Sequence, residues 1–147
     1  MSYEDSGLAS IAESHLFRSL DETGQRRLLA ACRRVSFQPG QVIVREGDPG
    51  EALYLVKDGW VRVHTTRAGR DIPLATLGRG ACFGEVALLS GRPRTATVSA
   101  VNRCTLLCFQ RTQIEEVLDA YPKVRRLLES MVLGRARDTI EKLTRPS

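Results

Sequence analysis

Apolar and polar residues alternate through the middle of the chain in short runs that turn residues separate. The runs lie at residues 41–44, 52–56, 60–64, 72–77, 95–100 and 105–109. A period of two with frequent β-branched residues predicts β-strands, and closely spaced short strands predict a compact antiparallel β-roll or jelly roll. Pro73 cannot donate a backbone hydrogen bond, so we expect its strand to lie at a sheet edge or to contain a bulge.

Before the β-rich region, apolar residues recur with helical spacing. They predict a short amphipathic helix that starts near Leu8, followed by a turn. The side chain of Asp21 can cap a second helix, because a carboxylate accepts hydrogen bonds from the free amides of a first turn. We expect this second helix to end by about Arg34.

After the β-rich region, Thr112 and Glu115 have the spacing of a capping box, which predicts the start of a helix. Pro122 suits the first turn of the helix that follows. The apolar stripe of this last helix is interrupted at Gly134, which is too irregular for a coiled coil. We expect the helix to pack on its own domain first, with a weak homodimer through it as a second contact.

Together these patterns predict an α+β fold, an antiparallel β-roll or jelly roll flanked by N-terminal helices and two C-terminal helices. The helices occupy residues 8–34 and 112–143, and the roll occupies residues 35–110. The 147 residues are enough for one hydrophobic core and too few for two domains of ordinary size. We therefore expect a single domain over residues 1–147.

The composition, 42% hydrophobic and 27% charged, is that of a globular protein. No apolar run approaches the ~20 residues that a membrane helix needs, and the acidic start does not resemble a secretory signal. A cytoplasmic protein with no membrane partner is expected. The net charge of +5 comes from dispersed arginines on predicted helix faces, so nucleic acid is not an expected partner.

The four cysteines and two histidines show no metal-binding spacing, so no metal is expected and the cysteines are interpreted as free thiols. One of them, Cys82, lies inside the candidate binding segment described next. Buried thiols are the favoured interpretation for all four cysteines, and partial exposure of Cys82 in the empty site is the alternative.

Residues 80–96 have the chemistry of a cradle for a small phosphate. Gly84 lets the backbone approach a ligand, and the short apolar run after it can form a helical turn with amides aimed at an anion. The fork of Arg94 matches two phosphate oxygens. Glu85 cannot bind phosphate, but its carboxylate can accept hydrogen bonds from a sugar hydroxyl.

The order of residues at 83–88 and 94–98 resembles the phosphate-binding cassette of the cyclic nucleotide-binding domain family. Residues 39–63 resemble the β-roll of the same family, and the resemblance extends over roughly residues 16–143. Gly47 and Gly59 fall at hairpins where a positive φ favours glycine, so backbone physics agrees with the resemblance.

The resemblance implies a role for each site residue. It implies that Arg94 binds the cyclic phosphate, that Glu85 binds the ribose 2′-hydroxyl and that the C-terminal helix closes over the base. Backbone amides of the Gly84–Ala87 turn, including Val86, and of Ala96 would donate further hydrogen bonds. Val63 matches a position that packs on the base.

Two positions bear on the ligand and the lid. Thr95 stands where the family varies between cAMP-preferring and cGMP-preferring members, and it does not settle the nucleotide. We take cAMP as the first choice and cGMP as the second. Arg135 matches a channel arginine that lies over the base; a solvated helix arginine is the other interpretation.

The sequence offers no paired carboxylates, no Ser-His-Asp arrangement and no metal cluster, so we expect binding without catalysis. The favoured function is a cyclic-nucleotide sensor that signals to an unidentified effector protein through its last helix. A ligand-free scaffold or docking module of the same fold is one alternative. A truncated transcription-regulator sensor is another, and the chain to Ser147 has no room for a helix-turn-helix domain.

Overall fold

Three helices and eight β-strands make up the part of the chain that the computed structural model describes, residues 11, 14, 16–50, 52–84 and 93–130. The helices are α1 (Glu22–Ala31), α2 (Arg111–Ala120) and α3 (residues 122–130). The strands are β1 (Cys32–Phe37), β2 (Val42–Val44), β3 (Ala52–Asp58), β4 (Val61–Arg67), β5 (Arg70–Leu77), β6 (Cys82–Phe83), β7 (Thr97–Ala100) and β8 (Cys104–Gln110).

The strands form two antiparallel sheets, with the orders β1-β8-β3-β6 and β2-β7-β4-β5. Strands that are neighbours within a sheet are mostly distant in sequence, as in a roll whose chain passes repeatedly from one sheet to the other. The predicted α+β fold and antiparallel roll are therefore confirmed.

Two hydrophobic cores lie on opposite sides of the sheet that contains β3. Along β3 and β8, successive side chains point to opposite faces, so each strand serves both cores. The helical core lies between this sheet and the helices; it contains Leu53, Leu55, Leu107, Phe109, Ile114, Val117, Leu118, Val124 and Leu128, with Phe17 and Leu28. The inter-sheet core contains Val56, Val61, Phe83, Val98, Ala100, Cys104 and Leu106.

The start of α1 is joined to the end of α2 through one carboxylate. Asp21 Oδ1 accepts a hydrogen bond from the Gly24 amide at 2.8 Å, which confirms the predicted cap, and another from the Tyr121 hydroxyl at 2.8 Å. These hydrogen bonds, the Gly24 bond first, lower the pKa of Asp21. Gly24 leaves room for the tyrosine, since a Cβ there would lie 2.8 Å from Tyr121 Cζ.

The second helix ends at Ala31, within the expected limit of about Arg34. Two other predictions are wrong. The roll, expected from residue 35, already begins with β1 at Cys32, which pairs with Phe109 of β8. The capping box is absent: α2 begins at Arg111, with Gln110 at the cap position and no side-chain cap hydrogen bond. The start of α2 instead carries an ion pair across one turn, Arg111 to Glu115 at 3.0 Å.

Three local predictions are confirmed. β5, which contains Pro73, lies at a sheet edge, and its register with β4 shifts opposite that residue. Gly47 and Gly59 have φ values of +86° and +90°. Pro122 follows the end of α2 and opens α3.

Among the described residues, no helix is long and apolar enough to cross a membrane.

We predict that Asp21→Ala lowers the melting temperature at neutral pH, because the α1 cap and the bond to Tyr121 are lost together. Asp21→Asn is the matched control, since asparagine also caps helices. A carboxyl group with a lowered pKa stabilises the fold above its ordinary pKa of about 4 and loses that effect as the pH falls below it. The gap between wild type and Asp21→Ala should therefore narrow in acid.

Circular dichroism melts at neutral and acidic pH measure both effects. Equal melting temperatures for wild type and Asp21→Ala at neutral pH would contradict the assignment.

Candidate functional site

Arg94 lies within the cassette-like segment, residues 80–96, shortly before β7, and only 7% of the residue is exposed. Its backbone is fixed against the β2–β3 loop by two reciprocal hydrogen bonds. The Arg94 amide donates to Asp48 O at 2.9 Å, and the Gly47 amide donates to Arg94 O at 2.8 Å. The loop after β2 therefore fixes the backbone position from which the Arg94 side chain extends.

The guanidinium group of Arg94 is oriented by backbone carbonyls. Nη2 donates to Ala52 O at 3.1 Å, and Nη1 donates to Gly84 O at 3.4 Å. Its carbon Cζ lies 6.0 Å from the ring centroid of Tyr54. A guanidinium held in one orientation can present a fork of N–H groups to two oxygens of an anion.

Two glycines allow the backbone to approach this guanidinium. A Cβ added at Gly84 would lie 2.7 Å from Arg94 Nη1 and 2.7 Å from Ala52 O, and the residue has a φ of +93°. A Cβ added at Gly50 would lie 2.5 Å from Arg94 Nε. The sequence indicated Gly84 from its place in the cassette, but nothing in the sequence pattern indicated Gly50.

The described residues bring together part of the predicted site. Gly84 and Arg94 are in contact, and Thr95 and Ala96 follow on the way to β7, exposed and half-buried respectively. Val63 is half-buried against the inter-sheet core, where it pairs with Val98 of β7. The predicted contributions of Glu85, Val86, Ala87 and Arg135 lie outside the described residues.

A cavity of about 350 Å³ opens beside Arg94. Its lining consists of Val42, Ile43, Val44 and Arg45 from β2 and its end, Asp48, Pro49 and Gly50 from the loop, Ala52 and Tyr54 from β3, Gln110 and Arg94 itself. This volume is at the lower end of the range for small-molecule sites, about 300–1,000 Å³. Sequence reasoning missed the contributions of β2 and Tyr54.

The cysteines carry no exposed reactive thiol in the described part of the chain. Cys82 is 2% exposed and its Sγ lies 3.8 Å from Ser14 Oγ, so the interpretation of this cysteine as a buried free thiol is confirmed and the alternative of partial exposure is not. Burial raises the pKa of Cys32, Cys104 and Cys108, which keeps these groups as thiols at neutral pH. The described residues contain no cluster of three or more potential metal ligands.

A Ser-His-Asp chain that the sequence did not indicate lies across β7, β4 and β5. Ser99 Oγ is 3.0 Å from His64 Nε2, and His64 Nδ1 is 2.8 Å from Asp71 Oδ1. Asp71 also pairs with Arg62. Burial first, and Arg62 second, lower the pKa of His64, so a neutral ring donates from Nδ1 to the carboxylate and accepts from Ser99.

The expectation of no Ser-His-Asp arrangement is therefore wrong, because His64 does lie within contact distance of both other side chains. In the described strands, however, β7 is paired on both sides, with β2 and β4. The amides next to Ser99 are thus within the ladder and form no oxyanion site, which acyl transfer requires. We interpret the chain as a set of cross-strand polar contacts that join β7, β4 and β5.

Comparison with known proteins decides the family. The family model described as "Cyclic nucleotide-binding domain" matches residues 34–121. The chain belongs to the cyclic nucleotide-binding domain family. The human potassium/sodium hyperpolarization-activated cyclic nucleotide-gated channel 4 is 36% identical over 125 residues, which cover 85% of this chain and 10% of the channel.

Two solved structures also resemble this chain. The regulatory domain of Toxoplasma gondii PKA in complex with cAMP is 32% identical, with a TM-score of 0.76; the match covers 88% of this chain and 50% of that chain. The N-terminal domain of a transcriptional regulator from Streptomyces coelicolor A3(2) is 32% identical, with a TM-score of 0.72. That match covers 94% of this chain and 97% of the other.

We predict that Gly84→Ala destabilises the protein more than Gly40→Ala. Both glycines have a positive φ, +93° and +83°, so each alanine carries the left-handed strain of about 1–2 kcal/mol. Only the Cβ at position 84 meets other atoms, because nothing lies within 4 Å of a Cβ at position 40. We expect a further loss of about 1–3 kcal/mol at position 84.

Urea denaturation of the two variants and wild type measures the difference. Equal free energies of unfolding for Gly84→Ala and Gly40→Ala would show that the contact with Arg94 and Ala52 does not constrain position 84.

Proposed function

We propose that this protein is a cyclic-nucleotide sensor, with cAMP as the preferred ligand and cGMP as the second choice. The observation that carries the proposal is the buried Arg94, whose guanidinium is fixed by the carbonyls of Ala52 and Gly84 within the segment that matches the family. A guanidinium kept away from water gains most from an anion with paired oxygens, and a cyclic phosphate is such an anion.

Each remaining site residue has a proposed role. Glu85 accepts hydrogen bonds from the ribose 2′-hydroxyl. Amides of Gly84, Val86, Ala87 and Ala96 donate to phosphate or ribose oxygens. These assignments follow the family resemblance of the cassette.

The base would lie against the roll and under the last helix. Val63 supports this proposal, because it is half-buried on the inner side of β4 and pairs with Val98, close after the cassette. Arg135 is the proposed stacking residue of the lid. Thr95 is exposed, so its hydroxyl is accessible to the edge of a base.

The preference for cAMP is supported by the Toxoplasma regulatory domain, which is described in complex with cAMP and is 32% identical to this chain. We propose binding without turnover, since the family is a regulatory ligand-binding domain. Cytoplasmic cAMP is the proposed signal, and an unidentified effector protein is the proposed recipient.

We propose that the signal leaves through the last helix. Val124 and Leu128 of α3 are buried in the helical core with Ile114 of α2 and Leu28 of α1. A displacement of α3 over the ligand must therefore repack α1 and α2. The ligand shifts the balance between open and closed arrangements by no more than its difference in affinity for them.

A second candidate is the sensor domain of a transcription regulator. It is supported by the Streptomyces coelicolor regulator domain, because the two chains cover each other almost completely. In this second candidate function the effector is a DNA-binding domain, and the cyclic nucleotide is bound by the same residues as in the first. This chain spans only 10–14% of its channel relatives, so the whole protein in which it acts is itself a proposal.

We predict that calorimetric titration detects cAMP binding and that Arg94→Ala weakens it by ~2–5 kcal/mol, because a buried phosphate would lose its charged partner. Arg70→Ala, at the exposed start of β5, is the matched control and should bind as wild type does. If neither cAMP nor cGMP gives a heat of binding, the sensor function is contradicted and a ligand-free scaffold is favoured. Binding to Arg94→Ala with unchanged affinity would place the site elsewhere.

We also predict that Thr95→Ala changes the choice of nucleotide. Guanine has an exocyclic amine that a threonine hydroxyl can accept from, and adenine lacks it at that position. Loss of one hydrogen bond of about 0.5–1.5 kcal/mol should weaken cGMP binding by roughly 2- to 12-fold and leave cAMP binding unchanged. Thr76→Ala, an exposed threonine on β5, is the control. Competition titrations measure the ratio, and an unchanged cGMP to cAMP ratio would contradict the role of Thr95.

A further inference from the structure

An aromatic stack lies beneath the arginine of the candidate site. The rings of Tyr54 and Phe83 are 5.0 Å apart between centroids, with planes inclined by only 11°. Arg94 Cζ lies 6.0 Å from the centroid of the Tyr54 ring, within the range of a cation–π contact. Tyr54 therefore contacts both Phe83, which is buried in the inter-sheet core, and Arg94, which lines the cavity.

The strands on either side fix the position of the Tyr54 ring. Tyr54 pairs with Phe83 of β6 and with Cys108 of β8, so it occupies an interior strand. Phe83, at 2% exposure, forms the base of the stack. A ring held in this way gives the guanidinium a rigid surface, unlike a flexible aliphatic side chain.

Backbone carbonyls contact Arg94 beside this aromatic surface. The carbonyls of Ala52 and Gly84 fix two nitrogen atoms of the guanidinium, and Gly50 admits Nε close to the backbone. The cavity of about 350 Å³ is lined by both Arg94 and Tyr54. Arg94 and Tyr54 therefore meet at the wall of the same cavity.

We propose that Tyr54 is a positioning residue for Arg94: its ring, supported by Phe83, sets the plane of the guanidinium so that the fork meets the cyclic phosphate. The inference rests on the proposed function. It adds a specificity determinant on β3, outside the cassette segment. The part that matters is the aromatic face and not the hydroxyl group.

The first test compares Tyr54→Leu, Tyr54→Met and Tyr54→Phe by titration with cAMP and with adenosine, which lacks the phosphate. Loss of the cation–π contact should weaken cAMP binding by about 2- to 30-fold in the leucine and methionine variants. Tyr54→Phe keeps the ring and should bind cAMP as wild type does. Adenosine binding, followed by NMR at millimolar concentrations, should be unchanged in all three.

The second test repeats Tyr54→Leu, or Tyr54→Met if the leucine variant does not fold, in the Arg94→Ala background. With no guanidinium to orient, the ring substitution should cause no further loss of cAMP affinity. A merely structural role for Tyr54 would reduce cAMP affinity by the same factor in both backgrounds, and adenosine affinity along with it.

The outcomes separate the two proposals. If wild type binds neither cAMP nor cGMP, the proposed function fails. If wild type binds and both ring-free variants bind cAMP equally well, the positioning role is overturned. Equal losses with and without Arg94, or equal losses for cAMP and adenosine, overturn it as well. A loss in Tyr54→Phe as large as in Tyr54→Leu would overturn the assignment to the aromatic face.

Discussion

The site depends on a positive charge that the fold keeps largely away from water. Removing a guanidinium from water costs several kcal/mol unless polar groups replace its hydration. At Arg94 the carbonyls of Ala52 and Gly84 supply part of that replacement, and the face of Tyr54 supplies another part. These groups carry partial charges, so a phosphate, with a full charge and paired oxygens, is a better partner than any of them.

This arrangement requires an unusually close approach of backbone and side chain. The β2–β3 loop is tied to Arg94 by hydrogen bonds at Asp48 and Gly47, and it passes so near the guanidinium that a Cβ at Gly50 would collide with Nε. Gly84 allows the same approach from the end of β6. The β2–β3 loop, Gly84 and Arg94 are therefore in direct contact, so that a change in one affects the position of the others.

The sequence predicted what local chemistry and period determine. Alternation located six of the eight strands and missed β1 and the two-residue β6. Asp21 located the α1 cap, and Pro73 located the edge strand. It failed where tertiary pairing competes with local preference: Cys32 joins β1 because β8 offers it a partner, and α2 begins before the capping box at Thr112.

In the candidate site, the prediction was strongest for residues whose chemistry points directly to phosphate. The contact of Gly84 with Arg94 agrees with the cassette pattern. Tyr54 and the Ser99–His64 contact come from strand register, and Gly50 comes from the path of the β2–β3 loop beside Arg94; both join residues that are far apart in the sequence. No single-sequence pattern contains that register, so these residues could not have been predicted.

Strand β3 offers a direct physical connection between the site and the helices. Ala52 and Tyr54 contact Arg94, whereas Leu53 and Leu55, which alternate with them, are buried in the helical core. In the proposed sensor, any displacement of Ala52 or Tyr54 on ligand binding is passed to the leucines of the same strand. Because packed cores switch between discrete arrangements and do not deform continuously, even a small displacement can select a different packing of the helices. The ligand can shift the balance between the two helix packings only by its difference in affinity for them. In this proposal that difference depends on how firmly β3 holds Arg94 in each packing.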